Sequence, residues 1–102
     1  MSIVDISKKN FEENVMNTDK YVLLDFWASW CGPCRIMTSI IEEFAKQNED
    51  VLVGKVNVDE EQDLAIRFNV MSIPTIIVLK NGEIVNSTVG VTTKEELLEM
   101  VK

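Results

Sequence analysis

From Tyr21 to Ala28 the chain is apolar at every position except Asp25. A strand with one face in water alternates polar and apolar residues, so an unbroken run of this kind belongs to a strand covered on both sides. Helices must therefore lie on both faces of whatever sheet contains it. The segment that follows supplies the first of them. Ile36, Met37, Ile40, Ile41, Phe44 and Ala45 form a stripe at helical spacing, in a helix running from Cys34 to near Asn48.

The remaining elements fall on either side of this pair. Ile3 to Ile6 reads as a short strand. Asn10 and Glu13 are spaced as a capping box, ahead of a helix with Phe11 and Val15 on one face. Val51 to Val58 is a third strand. Asp59 with Gln62 caps a short helix through Leu64, Ile66 and Phe68. Thr75 to Leu79 and Ile84 to Val89 flank Asn81-Gly82, the strongest short hairpin signal. Thr93 and Glu96 open a last helix with Leu97, Leu98 and Val101 inward. Right-handed crossovers make the first three strands parallel, and the hairpin adds antiparallel ones. The expected fold is α/β: a mixed five-stranded sheet with four helices on its two faces, in one domain spanning residues 1–102.

Ten basic residues against seventeen acidic ones give a net charge of −7, which opposes binding to nucleic acid or to an anionic membrane. No apolar run approaches the roughly 20 residues of a membrane span, and no basic N-terminal region leads into an apolar stretch. The chain reads as an unprocessed cytoplasmic protein.

Its only two cysteines stand in Trp30-Cys31-Gly32-Pro33-Cys34, at the head of the amphipathic helix. Positions three apart on a helix lie about 5–6 Å from each other, within disulfide reach. The pair can thus interconvert between dithiol and disulfide without rebuilding the backbone. A thiolate is the nucleophile in disulfide exchange, and a helix N-terminus stabilises negative charge there. Residues 26 to 41 contain no carboxylate, and Arg35 is their only charge. Pro33 suits a first turn, where its missing N–H has no partner to lose. Structural zinc needs four ligands, whereas this chain has two cysteines and no histidine.

Other residues are out of place for a simple core. Asp25 inside the apolar strand is either a solvated strand-end residue or a buried carboxylate that needs a partner or holds its proton. Lys55 in the third strand is either that partner or a strand-edge lysine reaching water along its stem. Pro74 in Ile73-Pro74-Thr75 is either a strand-start proline or a cis one. Trp27 and Trp30, on their own, read as core residues. Gly90 reads as a strand-end glycine.

Together these residues resemble the thioredoxin family over essentially the whole chain. The resemblance rests on Asp25-Phe26-Trp27-Ala28, Trp30-Cys31-Gly32-Pro33-Cys34, Lys55, Ile73-Pro74-Thr75, Asn81-Gly82 and Val89-Gly90. It implies a three-layer α/β/α protein-disulfide reductase in which Cys31 attacks a target disulfide and Cys34 resolves the mixed disulfide. It further implies that Asp25 is buried and relays a proton for Cys34, and that Gly32, Pro33 and Lys55 tune the pair. Pro74 is implied to be cis against the cysteines. Trp30, Gly32, Pro33, Ile73, Pro74 and Gly90 are implied to form the face that receives a partner's disulfide segment. No cofactor is bound in this scheme. The redox-active Cys31–Cys34 disulfide of a monomer is recharged by thioredoxin reductase, a flavin enzyme drawing on NADPH. An oxidase or isomerase of the same fold fits less well, because those carry other residues in place of Gly32-Pro33. A non-enzymatic docking subunit using the same face is the alternative.

The departures from the family pattern are few. Ser39 stands where many relatives carry a kinking proline, so a straighter helix is expected. Asn69, Met71 and Ser72 replace common glycines, with Asn69 able to adopt a left-handed conformation. Met71, beside the site, bears on which partners dock.

Overall fold

Alternation along the strands decides which side chains meet which helix. In the computed structural model, which describes residues 3–102, the elements are β1 (Ile3–Asp5), a π-helical turn (Glu12–Met16), β2 (Tyr21–Trp27), α1 (Gly32–Gln47), β3 (Leu52–Asn57), α2 (Gln62–Arg67), β4 (Thr75–Lys80), β5 (Glu83–Val89) and α3 (Lys94–Met100). The strands form one sheet in the order β1-β3-β2-β4-β5. The first three are parallel, and β4 is antiparallel to both β2 and β5. The expected mixed sheet, thioredoxin fold and four helical segments are all present.

On one face Leu23, Val53, Ile76 and Val78 pack against Met37, Ile41 and Phe44 of α1 and Leu97 and Met100 of α3. On the other, Val22, Leu24, Phe26, Val56, Ile77 and Leu79 meet Phe11, Val15 and Leu64. Phe68 stacks tilted between Phe11 and Phe26, with ring centroids 5.8 and 5.7 Å away. Asp25 and Lys55 are register partners, two residues beyond Leu23 and Val53 respectively. They therefore share the face that α1 covers.

Several local expectations need correction. Asn10 does not cap a helix; its Oδ1 accepts from Ser7 N and its Nδ2 donates to the carbonyl of Asp5, bracing the exit of β1. The helical turn after it starts only at Glu12 and has no side-chain cap. Asp59 and Gln62 do not cap α2, because the Asp59 carboxylate is engaged elsewhere, as described below. In the two stripes, Ile36 and Ile66 face water, 59% and 76% exposed. At α3 the inward residues Leu97, Leu98 and Val101 do pack on the core, and Met100 joins them there. Helix α1 begins two residues earlier than expected and runs unbroken through Ser39.

Other turn chemistry holds. Asn81 and Gly82 have φ of 54° and 79°, the two left-handed residues of a tight hairpin. Asn69 is left-handed at 55°. Thr93 Oγ1 accepts from Glu96 N and caps α3.

Gly54, at the centre of β3, lets Ile6 close over the sheet. A Cβ there would stand 2.6 Å from Ile6 Cγ1 and 3.1 Å from Leu24 Cδ2. Gly54→Ala is expected to destabilise the protein by about 1–3 kcal/mol through overpacking. Urea denaturation of the two forms would measure it, and an unchanged midpoint would mean that Ile6 moves aside freely.

Candidate active site

Cys31 is the residue at which extended backbone turns into α1. Its φ and ψ are −91° and 109°, and its Sγ accepts from the backbone N–H of Cys34 at 3.2 Å. The sulfur thus occupies the N-cap position, where a serine or aspartate oxygen ordinarily satisfies the first unpaired donors. Pro33 sits in the first turn. Cys31 and Cys34 are joined as a disulfide with Cα atoms 5.3 Å apart. Both are buried, Cys34 more deeply, and they pack with Ala28 against Trp27, Val58 and Ile73. Gly32 and Pro33 are exposed, and no atom lies within 4 Å of where a Gly32 Cβ would be, leaving the approach to the bond open.

Beneath α1, Asp25 is fully buried, which overturns the solvated strand-end alternative. Neither carboxylate oxygen has a hydrogen-bond partner. Burial pushes its pKa up to about 6, and the positive charge of Lys55 works against that rise. Lys55 is not a strand-edge residue, since β3 lies between β1 and β2. Its Nζ donates to Thr38 Oγ1 at 2.9 Å and sits 4.7 Å over the Trp27 ring. Among the described residues no ion pair joins it to Asp25. The carboxylate and ammonium are neighbours in register, but only the ammonium has a hydrogen-bond partner.

A third group of residues surrounds the sulfurs at the surface. The Ile73–Pro74 peptide is cis, and the Pro74 carbonyl accepts from Gly90 N at 2.8 Å. Gly90 has φ of 92°, a conformation natural to glycine. Pro74 is buried, so within that segment Ile73 is the partly open apolar residue. Trp30 is 69% exposed, contrary to the core reading of its residue type, and Trp27 is half-buried. Trp30, Val58, Ala65, Met71 and Ile73 line an apolar cleft of about 400 Å³. Met71, 86% exposed, stands at its rim, with Val89 and Val91 also open to solvent.

Sequence reasoning missed Asp59 and Thr38. Asp59 Oδ2 accepts from Trp30 Nε1 at 2.9 Å and fixes the exposed ring. The signal lay in the parallel pairing: Trp27 is opposite Asn57, so residues just past both strand ends come together. Asp59→Ala is expected to release the ring, shifting the Trp30 indole N–H resonance and raising KM for protein disulfides severalfold, about 1 kcal/mol. An unmoved resonance would show that packing alone holds Trp30.

Among the described residues no group of three or more His, Cys, Asp or Glu is arranged to hold a metal ion, and no helix is long and apolar enough to cross a membrane.

The Thioredoxin family profile matches residues 2–102. A thioredoxin of Bacillus subtilis is 43% identical over 102 residues, covering 99% of this chain and 96% of that protein. One of Staphylococcus haemolyticus is 45% identical over 104 residues, with coverage of 99% and 96%. One of Buchnera aphidicola is 40% identical over 100 residues, with coverage of 97% and 93%. With a bonded Cys-Gly-Pro-Cys pair at a helix head, a mixed five-stranded sheet and likeness along nearly its full length, this protein-disulfide reductase belongs to the thioredoxin family.

Proposed function

We propose that Cys31 is the attacking sulfur, Cys34 the resolving one and Asp25 the proton acceptor that serves it. The observation that carries this division is the N-cap position of Cys31, with Cys34 one turn inside the helix. In the dithiol form, negative charge on Cys31 is favoured by the unpaired donors and dipole of α1. The Cys31 thiolate attacks one sulfur of a target disulfide, forming a mixed disulfide and expelling the target's other sulfur as thiolate. Cys34 then gives its proton to the Asp25 carboxylate and attacks Cys31 Sγ. The second target sulfur leaves, and the Cys31–Cys34 disulfide closes. Two electrons pass from this chain to the target, which takes up two protons as its thiolates are protonated.

The exposed Trp30, Gly32 and Pro33, with Ile73, Gly90 and the cis Pro74 that shapes their loop, receive the extended segment around a target's disulfide. Electrons return from a thioredoxin reductase whose flavin is reduced by NADPH. The chain acts as a monomer in the cytoplasm, where its net charge of −7 keeps it off acidic polymers.

Equilibrating the pair against glutathione buffers tests the direction of this chemistry. A reductase pair stays oxidised until reduced glutathione is in very large excess. Reduction in the weakly reducing buffers that suffice for an isomerase would overturn the assignment.

A further inference from the structure

We propose that Thr38 is a positioning residue for disulfide exchange: its hydroxyl ties the Lys55 ammonium to the carbonyl of Cys34 and so fixes the cation beside the buried Asp25. Thr38 lies one turn after Cys34 on α1 and is half-buried. Its Oγ1 donates to Cys34 O at 2.9 Å and accepts from Lys55 Nζ at 2.9 Å. A hydroxyl has one proton and two lone pairs, so it makes both bonds at once. The Trp27 ring, 4.7 Å from Nζ, closes the other side. The ammonium is thereby attached to the same helical turn that carries the resolving cysteine.

The charges around Lys55 decide where it goes when that hold is lost. Asp25 on β2 and Asp5 on β1 are its register partners. Glu60 and Glu61, ahead of α2, line with Asp5, Trp27 and Asn57 a cleft of about 230 Å³ that reaches Lys55. On β4 the residue opposite Asp25 is Ile76, which carries no charge. From α1 the contact is the uncharged Thr38 hydroxyl. Three carboxylates thus stand on the open side and one lies inside, with no water-exposed surface of its own. An ammonium is strongly hydrated, so without Thr38 it moves outward to the cleft. Asp25 then loses part of the positive charge that opposes its desolvation, and it keeps its proton to higher pH.

The functional consequence rests on the reading of Asp25 as the acceptor for Cys34, but the test reads the hold on Lys55 directly. The Asp25 side-chain carboxyl carbon is followed by NMR through a pH titration of the oxidised protein. Thr38→Val is expected to raise the midpoint by about half to one pH unit. Thr38→Ser, which keeps the hydroxyl, is expected to titrate like the parent. In a Lys55→Met background, Thr38→Val is expected to add nothing. The proposal is overturned by an unchanged or lowered midpoint in Thr38→Val, by failure of serine to restore it, or by an equal shift without Lys55. Exchange rates of Asp25→Asn test the acceptor reading separately. If that variant resolves mixed disulfides normally while Thr38→Val still moves the titration, the acceptor reading falls and the hold of Thr38 on Lys55 stands.

Discussion

Cys31→Ser is expected to lose protein-disulfide reduction down to the uncatalysed level, while Cys34→Ser should complete the first step and stop there. The difference follows from where α1 places the two sulfurs. Cys31 is at the N-cap, beside exposed Gly32 and Pro33, and its sulfur already accepts a backbone N–H. A serine hydroxyl in its place is not ionised near neutral pH, so no nucleophile remains. Cys34 is 1% exposed and reaches only what Cys31 has already captured. Without it the mixed disulfide has no internal attacker and persists. Incubating each variant with a disulfide-bearing protein and counting covalent adducts by non-reducing electrophoresis checks the assignment. One adduct per chain is expected for Cys34→Ser and none for Cys31→Ser. Limited alkylation of the reduced parent should likewise label Cys31 first. Adducts on the Cys31→Ser variant would exchange the two roles.

The parts of this molecule that were legible in its sequence are those fixed by local pattern. The apolar run of β2, the stripe of α1 and the Asn81-Gly82 turn each specify one element through periodicity or a required φ. The order of those elements then leaves few topologies. Local pattern failed where a polar side chain had a choice of partners. Asn10 and Asp59 each had capping spacing, but Asn10 turned back to Asp5 and Asp59 turned to an indole 29 residues away. The same limit applies to Asp25. Residue type alone cannot tell a solvated strand-end carboxylate from a buried one, because the answer depends on which helix lies over the strand. Thr38 was hidden differently: in sequence it is one more residue between apolar stripe positions. Its meaning arises only when β3 brings Lys55 beneath α1.

Asp25→Asn is expected to make the oxidised protein more stable above neutral pH and slower in disulfide exchange. The carboxyl has a pKa of about 6 in the folded state, against an ordinary value of 3.8. Between those values the folded state binds more protons than the unfolded one, so stability falls as pH rises through that window. Above it the full penalty of holding a buried carboxylate is present. A gap of roughly two pKa units corresponds to about 3 kcal/mol. An amide has the same shape as the protonated carboxyl and never ionises, so the variant escapes that penalty. The gain should therefore be largest at about pH 8 and vanish only at about pH 3 and below, where the carboxyl is protonated in the unfolded chain as well as in the folded one. The loss falls on the resolving step. Neither Asp25 oxygen is committed to a hydrogen bond, so the carboxylate is free to take a proton, which an amide cannot do. Denaturant titrations across that pH range, run beside a protein-disulfide reduction assay, separate the two effects. Equal stability of parent and variant at about pH 8 would mean that the carboxylate is hydrated in solution. Unaltered exchange in a stabilised variant would leave Asp25 a burden on the fold without a part in the chemistry.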